Sequence, residues 1–131
     1  MYVWSENDPL RAIPFDRASN LLDQSGQIVF TAGGPTGQSG AVLSVSSNGS
    51  KAGTGILWAS YAFSGDAEHS VSPGILRALD ATDITKELWN NRQNLARDGA
   101  GTYAKFSSPT IANGHVYLPT FSGQVVVYGV Q

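Results

Sequence analysis

A chain of 131 residues is the size of one domain, with room for a single core. Hydrophobic residues make up 41% and charged residues 14%, with a net charge of −2; this balance excludes whole-chain disorder, electrostatic binding to nucleic acid and an acidic tail. Cysteine is absent, which removes disulfides, thiolate metal sites and thiol nucleophiles, while 15 Gly and 6 Pro point to the tight turns of an all-β chain.

The N-terminus, from Met1 to Glu6, lacks the basic and apolar regions of a signal peptide. The longest apolar run, Val125 to Val130, falls far short of the roughly 20 residues that cross a bilayer, so a soluble chain with no membrane partner is expected. No apolar 3.6-residue period persists for three turns, and helices are expected to be few or absent.

Met1 to Ser5 and Leu10 to Phe15 read as strands of a hairpin joined by Glu6-Asn7-Asp8-Pro9, and Asn20 to Phe30 holds a further strand. Gly33, Gly34, Pro35, Gly37 and Gly40 make Thr31 to Gly40 an irregular loop between units. Ala41 to Ser46 and Gly55 to Ser60 pair around the Gly-rich turn from Asn48 to Gly53. Tyr61 to Pro73 reads as a long projecting loop; Gly74 to Asp80 and Lys86 to Trp89 then complete a four-stranded unit. After a polar connector from Asn90 to Thr102, the segments Lys105 to Ile111, His115 to Phe121 and Gln124 to Val130 read as three strands split by Asn113-Gly114 and Ser122-Gly123.

Gly55-Ile56-Leu57-Trp58-Ala59, Gly74-Ile75-Leu76-Arg77-Ala78-Leu79 and Val125-Val126-Val127-Tyr128 are apolar on successive residues, as in strands covered on both faces. Leu10-Arg11-Ala12-Ile13-Pro14-Phe15-Asp16 parallels Leu76-Arg77-Ala78-Leu79-Asp80, an internal repeat. Together these predict an all-β partial β-propeller of about two and a half four-stranded antiparallel blades. Residues 1–30 form an incomplete blade, 41–89 a complete one and 105–131 a C-terminal one.

Ala78-Leu79-Asp80-Ala81-Thr82 followed by Leu88-Trp89 resembles the blade motif of pyrroloquinoline-quinone-type propeller repeats. Gly55-Ile56-Leu57-Trp58-Ala59, Arg97-Asp98, Lys105-Phe106-Ser107-Ser108-Pro109-Thr110 and Asn113-Gly114-His115-Val116-Tyr117 are similar to the C-terminal blades of bacterial proteins with such repeats. The resemblance implies blade-docking roles for Ala78, Asp80, Trp58 and Trp89 and an extracytoplasmic setting. The usual Thr-Gly after the Asp is here Asp83-Ile84-Thr85, which lengthens the approach to Trp89 by one residue. In the quinoprotein dehydrogenases the resemblance would further imply a closed ring holding pyrroloquinoline quinone and calcium, with a catalytic Asp and an adjacent-Cys disulfide. No residue here maps onto the last two, so neither cofactor is expected outside that alternative.

Asp66, Glu68 and His69 offer three metal-capable side chains in four residues, yet without EF-hand spacing; a solvated acidic loop is the preferred reading and no metal is expected. His115 beside Asn113-Gly114 reads as a turn-flanking residue, and Glu6, Asn7 and Asp8 as a hairpin connector. Arg97 and Asp98 read as a surface pair, a bridge between blades or part of a polar floor at the propeller axis, with the buried bridge preferred. Gly53-Thr54-Gly55 leads into a strand and cradles no phosphate, and no Gly-x-Ser-x-Gly elbow occurs, so no catalytic residue is assigned. Trp4, Trp58 and Trp89 read as core or docking residues, leaving Tyr61 and Phe63, with Asp66, Glu68 and His69, as the loop contacts for a ligand.

The expected function is a non-catalytic propeller segment acting as a scaffold or recognition module for an unknown ligand. A fragment of a quinone-dependent dehydrogenase and a carbohydrate-binding surface are the alternatives. A bare blade face of on the order of 500 Å² corresponds to about 12 kcal/mol. Further blades of a larger propeller, or further copies of the chain, are therefore the expected partners.

Overall fold

The computed structural model describes residues 1–37 and 39–129. In chain order the elements are β1 (Tyr2–Val3), β2 (Leu10–Ala12), β3 (Phe15–Asp16), β4 (Leu21–Leu22), β5 (Ile28–Phe30), β6 (Val42–Ser46), β7 (Ile56–Ala62), β8 (Gly74–Asp80), β9 (Glu87–Asn90), α1 (Leu95–Asp98), β10 (Thr110–Ala112), β11 (His115–Pro119) and β12 (Val125–Gly129). They form four antiparallel sheets: β1-β2-β5, the hairpin β3-β4, the four-stranded meander β6-β7-β8-β9, and β10-β11-β12. The chain is all-β, in an arrangement consistent with a partial β-propeller. Gln38 in the expected loop, and Val130 and Gln131 at the end of the expected last strand and blade, lie outside the described residues.

The middle sheet explains the runs of successive apolar residues. Leu57, Ala59, Tyr61, Ile75 and Leu79 join Trp4, Leu10 and Phe30 in the core shared with the first sheet. Leu76, with Trp58 and Trp89 against it, packs with Val116, Leu118, Ile111 and Tyr128 of the last sheet. Alternate residues of β7 and β8 thus enter different cores, so a period of two disappears from the sequence. Leu57, Leu76, Leu79 and Ile84 are fully buried, each contributing roughly 1.5–3 kcal/mol of apolar transfer.

Main-chain and hydroxyl contacts hold the neighbouring sheets together along the side of β6. Ala41 N–H donates to Trp4 O at 3.0 Å, and Ser44 Oγ donates to Pro109 O at 2.6 Å. Gly40 permits the first contact: its φ is 72° and a Cβ there would lie 2.6 Å from Trp4 O.

Several boundaries differ from the sequence reading. The strand expected over Leu10 to Phe15 stops at Ala12, and Phe15-Asp16 starts a separate hairpin with Leu21-Leu22, because Pro14 has no N–H to continue the ladder. The strand expected from Lys105 begins only at Thr110, since Phe106 takes φ of 62° and Pro109 follows. Strand β7 runs on to Ala62, removing Tyr61 and Ala62 from the projecting loop. The polar connector holds one four-residue helix, capped by the Asn94 side chain.

Candidate functional site

Between β7 and β8 the chain folds into a single helical turn. Asp66 O accepts from the N–H groups of His69 and Ser70, and Asp66 Oδ1 accepts from Glu68 N–H at 2.8 Å. This local geometry brings His69 Nδ1 to 2.8 Å from Asp66 Oδ2. The His69 contact holds the Asp66 carboxyl below its usual value, and Asp66 raises the His69 imidazole above 6.5. One ligand atom from each of Asp66, Glu68 and His69 falls within 4.8 Å of the others. Two oxygens and one nitrogen on an exposed turn leave most of a cation's shell to water.

The turn forms one wall of a groove of about 790 Å³. The second wall is the segment from Tyr103 to Ser107, and the third is the β11–β12 turn. Hydrogen bonds fix the walls: Tyr103 N–H donates to Ser72 O, Phe121 N–H donates to Thr102 O, and the Thr102 and Ser122 hydroxyls lie 2.7 Å apart. Tyr103 is buried at the base, with its hydroxyl 3.4 Å from that of Ser39. At the rim Phe106 is 73% and Phe121 67% exposed, while Glu68, His69 and Lys105 supply polar groups. A groove with hydrogen-bonded walls, two exposed phenyl rings and mixed charges can bind an amphipathic ligand.

Tyr61, expected among the loop contacts, is a correction: it is 1% exposed and packs against Trp4. Its hydroxyl lies in the core because it can donate to Gly33 O and accept from Arg77 Nε. Phe63 is exposed, but the Arg92 guanidinium stacks 3.7 Å from its ring centre, away from the groove. Asp66, Glu68 and His69 do come together. Trp58, Ala78 and Trp89 lie in one cross-strand row of the middle sheet, with the small Ala78 between the indoles. Asp80 accepts from Thr82 N–H and Oγ1, closing the turn before β9, and these bonds hold its carboxyl below the usual value.

The Arg97–Asp98 bridge is also corrected. The pair is a local contact between adjacent residues of α1, at 2.6 Å, with an exposed Arg97. The connection to the last sheet is made by the main chain, where the Tyr128 hydroxyl donates to Asp98 O at 2.9 Å. Among the groove residues, Lys105, Phe106 and Phe121 escaped the sequence reading because they were placed in strands. The available signals were Pro109 close after Phe106, and Ser122-Gly123 directly after Phe121. No described helix is long and apolar enough to cross a membrane. Neither a family model, a curated protein nor a solved structure matches the chain.

Proposed function

We propose that the chain is a segment of a β-propeller of the pyrroloquinoline-quinone-like repeat type, serving as a non-catalytic scaffold that recognises a partner through the Phe106–Phe121 groove. The observation carrying this reading is the exposure of both phenyl rings on walls braced by hydrogen bonds. Phe106 adds to it, since a bulky side chain with φ of 62° is strained, and such strain concentrates at ligand clamps. A carbohydrate is the second reading, favoured by ring faces next to Glu68 and the Ser107 and Thr120 hydroxyls.

A polyanionic quinone fits this donor set poorly, since Glu68 and Asp66 offset Lys105 and His69. The reading therefore takes no quinone and no calcium. Screening the chain against immobilised peptides and glycans tests it: binding that is lost in Phe106→Ala and Phe121→Ala supports the reading, and silence on both arrays refutes it. Adding pyrroloquinoline quinone with calcium is expected to leave the absorption spectrum and dye reduction unchanged.

A further inference from the structure

Four of the eight basic residues are half-buried, and a stem that is partly covered holds its charged head in one place. Three of the four have a partner within the chain: Arg11 pairs with Asp8, Arg77 pairs with Glu87, and the Arg92 guanidinium lies over the Phe63 ring. The fourth, Lys105, has neither a carboxylate nor a ring against its ammonium among the described residues. It lines the groove beside Phe106.

On the facing wall Asp66 is already engaged, by His69 and by the Glu68 N–H. The Glu68 carboxylate is not: it lines the groove, is exposed, and makes no ion pair among the described residues. Lys105 is near enough to this wall for its charge to add, after that of His69, to what holds the Asp66 carboxyl low. It does not close on Glu68. The groove therefore keeps a cation on one wall and an anion on the other, with the Phe106 and Phe121 rings exposed at its rim. Opposite charges held apart in this way are left for a ligand to pair.

We propose that the occupant of the groove is an extended segment of a partner protein that carries an acidic residue and an arginine on either side of apolar residues. Its carboxylate pairs with Lys105, its guanidinium pairs with Glu68, and its apolar side chains meet the phenyl rings. The inference rests on the recognition reading and names the chemistry of the partner. Arginine suits the second position because a guanidinium both pairs with a carboxylate and stacks on a ring, as Arg77 does between Glu87 and Phe30. A neutral glycan leaves both charges without a counterpart, and a polyanion is repelled by Glu68.

Acetylated and amidated peptides in which a glutamate and an arginine are separated by one, two or three leucines test it, by fluorescence anisotropy with the whole chain. Binding is expected at one of these spacings, lost in Phe121→Ala and weakened about fivefold by Lys105→Met and by Glu68→Gln. Changing the ligand as well assigns each charge. Lys105→Met is expected to leave binding of the peptide with glutamine for glutamate unaltered, and Glu68→Gln that of the peptide with glutamine for arginine. The thermal midpoints of both variants are expected to stay in place, since neither side chain gives up an ion pair. A lowered midpoint in Lys105→Met would reveal a partner inside the chain and overturn the proposal. Phe121-dependent binding of a glycan or a neutral peptide that both charge variants leave intact also overturns it, while the recognition reading stands. Absence of any binding that depends on Phe106 and Phe121 overturns both.

Discussion

The Tyr61 hydroxyl accepts from Arg77 Nε at 2.7 Å and donates to Gly33 O, joining the middle sheet to the loop that follows the first. Arg77 reaches Glu87 through its other arm and lies over the Phe30 ring, so one phenol organises a mostly buried network. Tyr61→Phe keeps the packing but strands two polar partners. A loss of roughly 1–3 kcal/mol is expected in denaturant unfolding, with little change in m-value.

Trp89 joins the middle and last sheets through its edge contact with Tyr128, the ring centres 5.3 Å apart. Trp89→Ala removes that contact, and because the indole is half-buried the expected loss is about 2–3 kcal/mol, below that of a fully buried Trp. Amides of β11 are expected to exchange faster in the variant while those of β2 are unchanged. Equal acceleration in both would show that Trp89 supports the whole chain and not one boundary.

Gly40→Ala tests the junction between the first two sheets. The substitution meets an unfavourable φ of 72° and places Cβ 2.6 Å from Trp4 O, a backbone atom with little room to retreat. A loss of about 2–4 kcal/mol is expected, seen as a lower thermal midpoint. Gly49→Ala is the control: it has φ of 56° but nothing within 4 Å of its Cβ, and should be affected by backbone strain alone.

Phe106→Gly is expected to raise stability by up to about 1 kcal/mol, because relief of the left-handed conformation exceeds the added freedom of the unfolded chain. The same variant is expected to lose groove binding. Gain of stability with loss of binding would mark Phe106 as a residue kept for recognition; a loss of both would show that its ring is structural.

Asp66 makes His69 more basic. The folded-state value lies above 6.5, so the stabilisation from this contact is complete below 6.5 and disappears as pH rises through the folded value. An NMR titration is expected to place the His69 midpoint above 6.5, and Asp66→Asn to move it back toward that value. A midpoint unaffected by Asp66→Asn would break the link.

The sheet β6–β9 was readable along the chain because two of its three connections are local: Asn48 to Gly53 closes one hairpin, and Asp80 with Thr82 begins another. The core roles of Trp4 and Leu57 followed from apolar runs around them. Phe106 shows what was not legible, since its left-handed backbone is imposed by surroundings distant in sequence, while the residue itself reads as part of a strand. For Asp66, Glu68 and His69, a turn of four residues was enough to bring the side chains together, whereas the groove beside them also needs segments some forty and fifty residues further on.

By itself the sequence determined that the chain is built of short antiparallel strands, because turn residues and apolar runs act over a few neighbouring positions. Tertiary structure alone decided that Tyr61 enters the core and that Phe106 and Phe121 stay outside it. Burial depends on which distant segment arrives opposite a residue, and a hydroxyl such as that of Tyr61 is tolerated inside once Gly33 O and Arg77 Nε meet it.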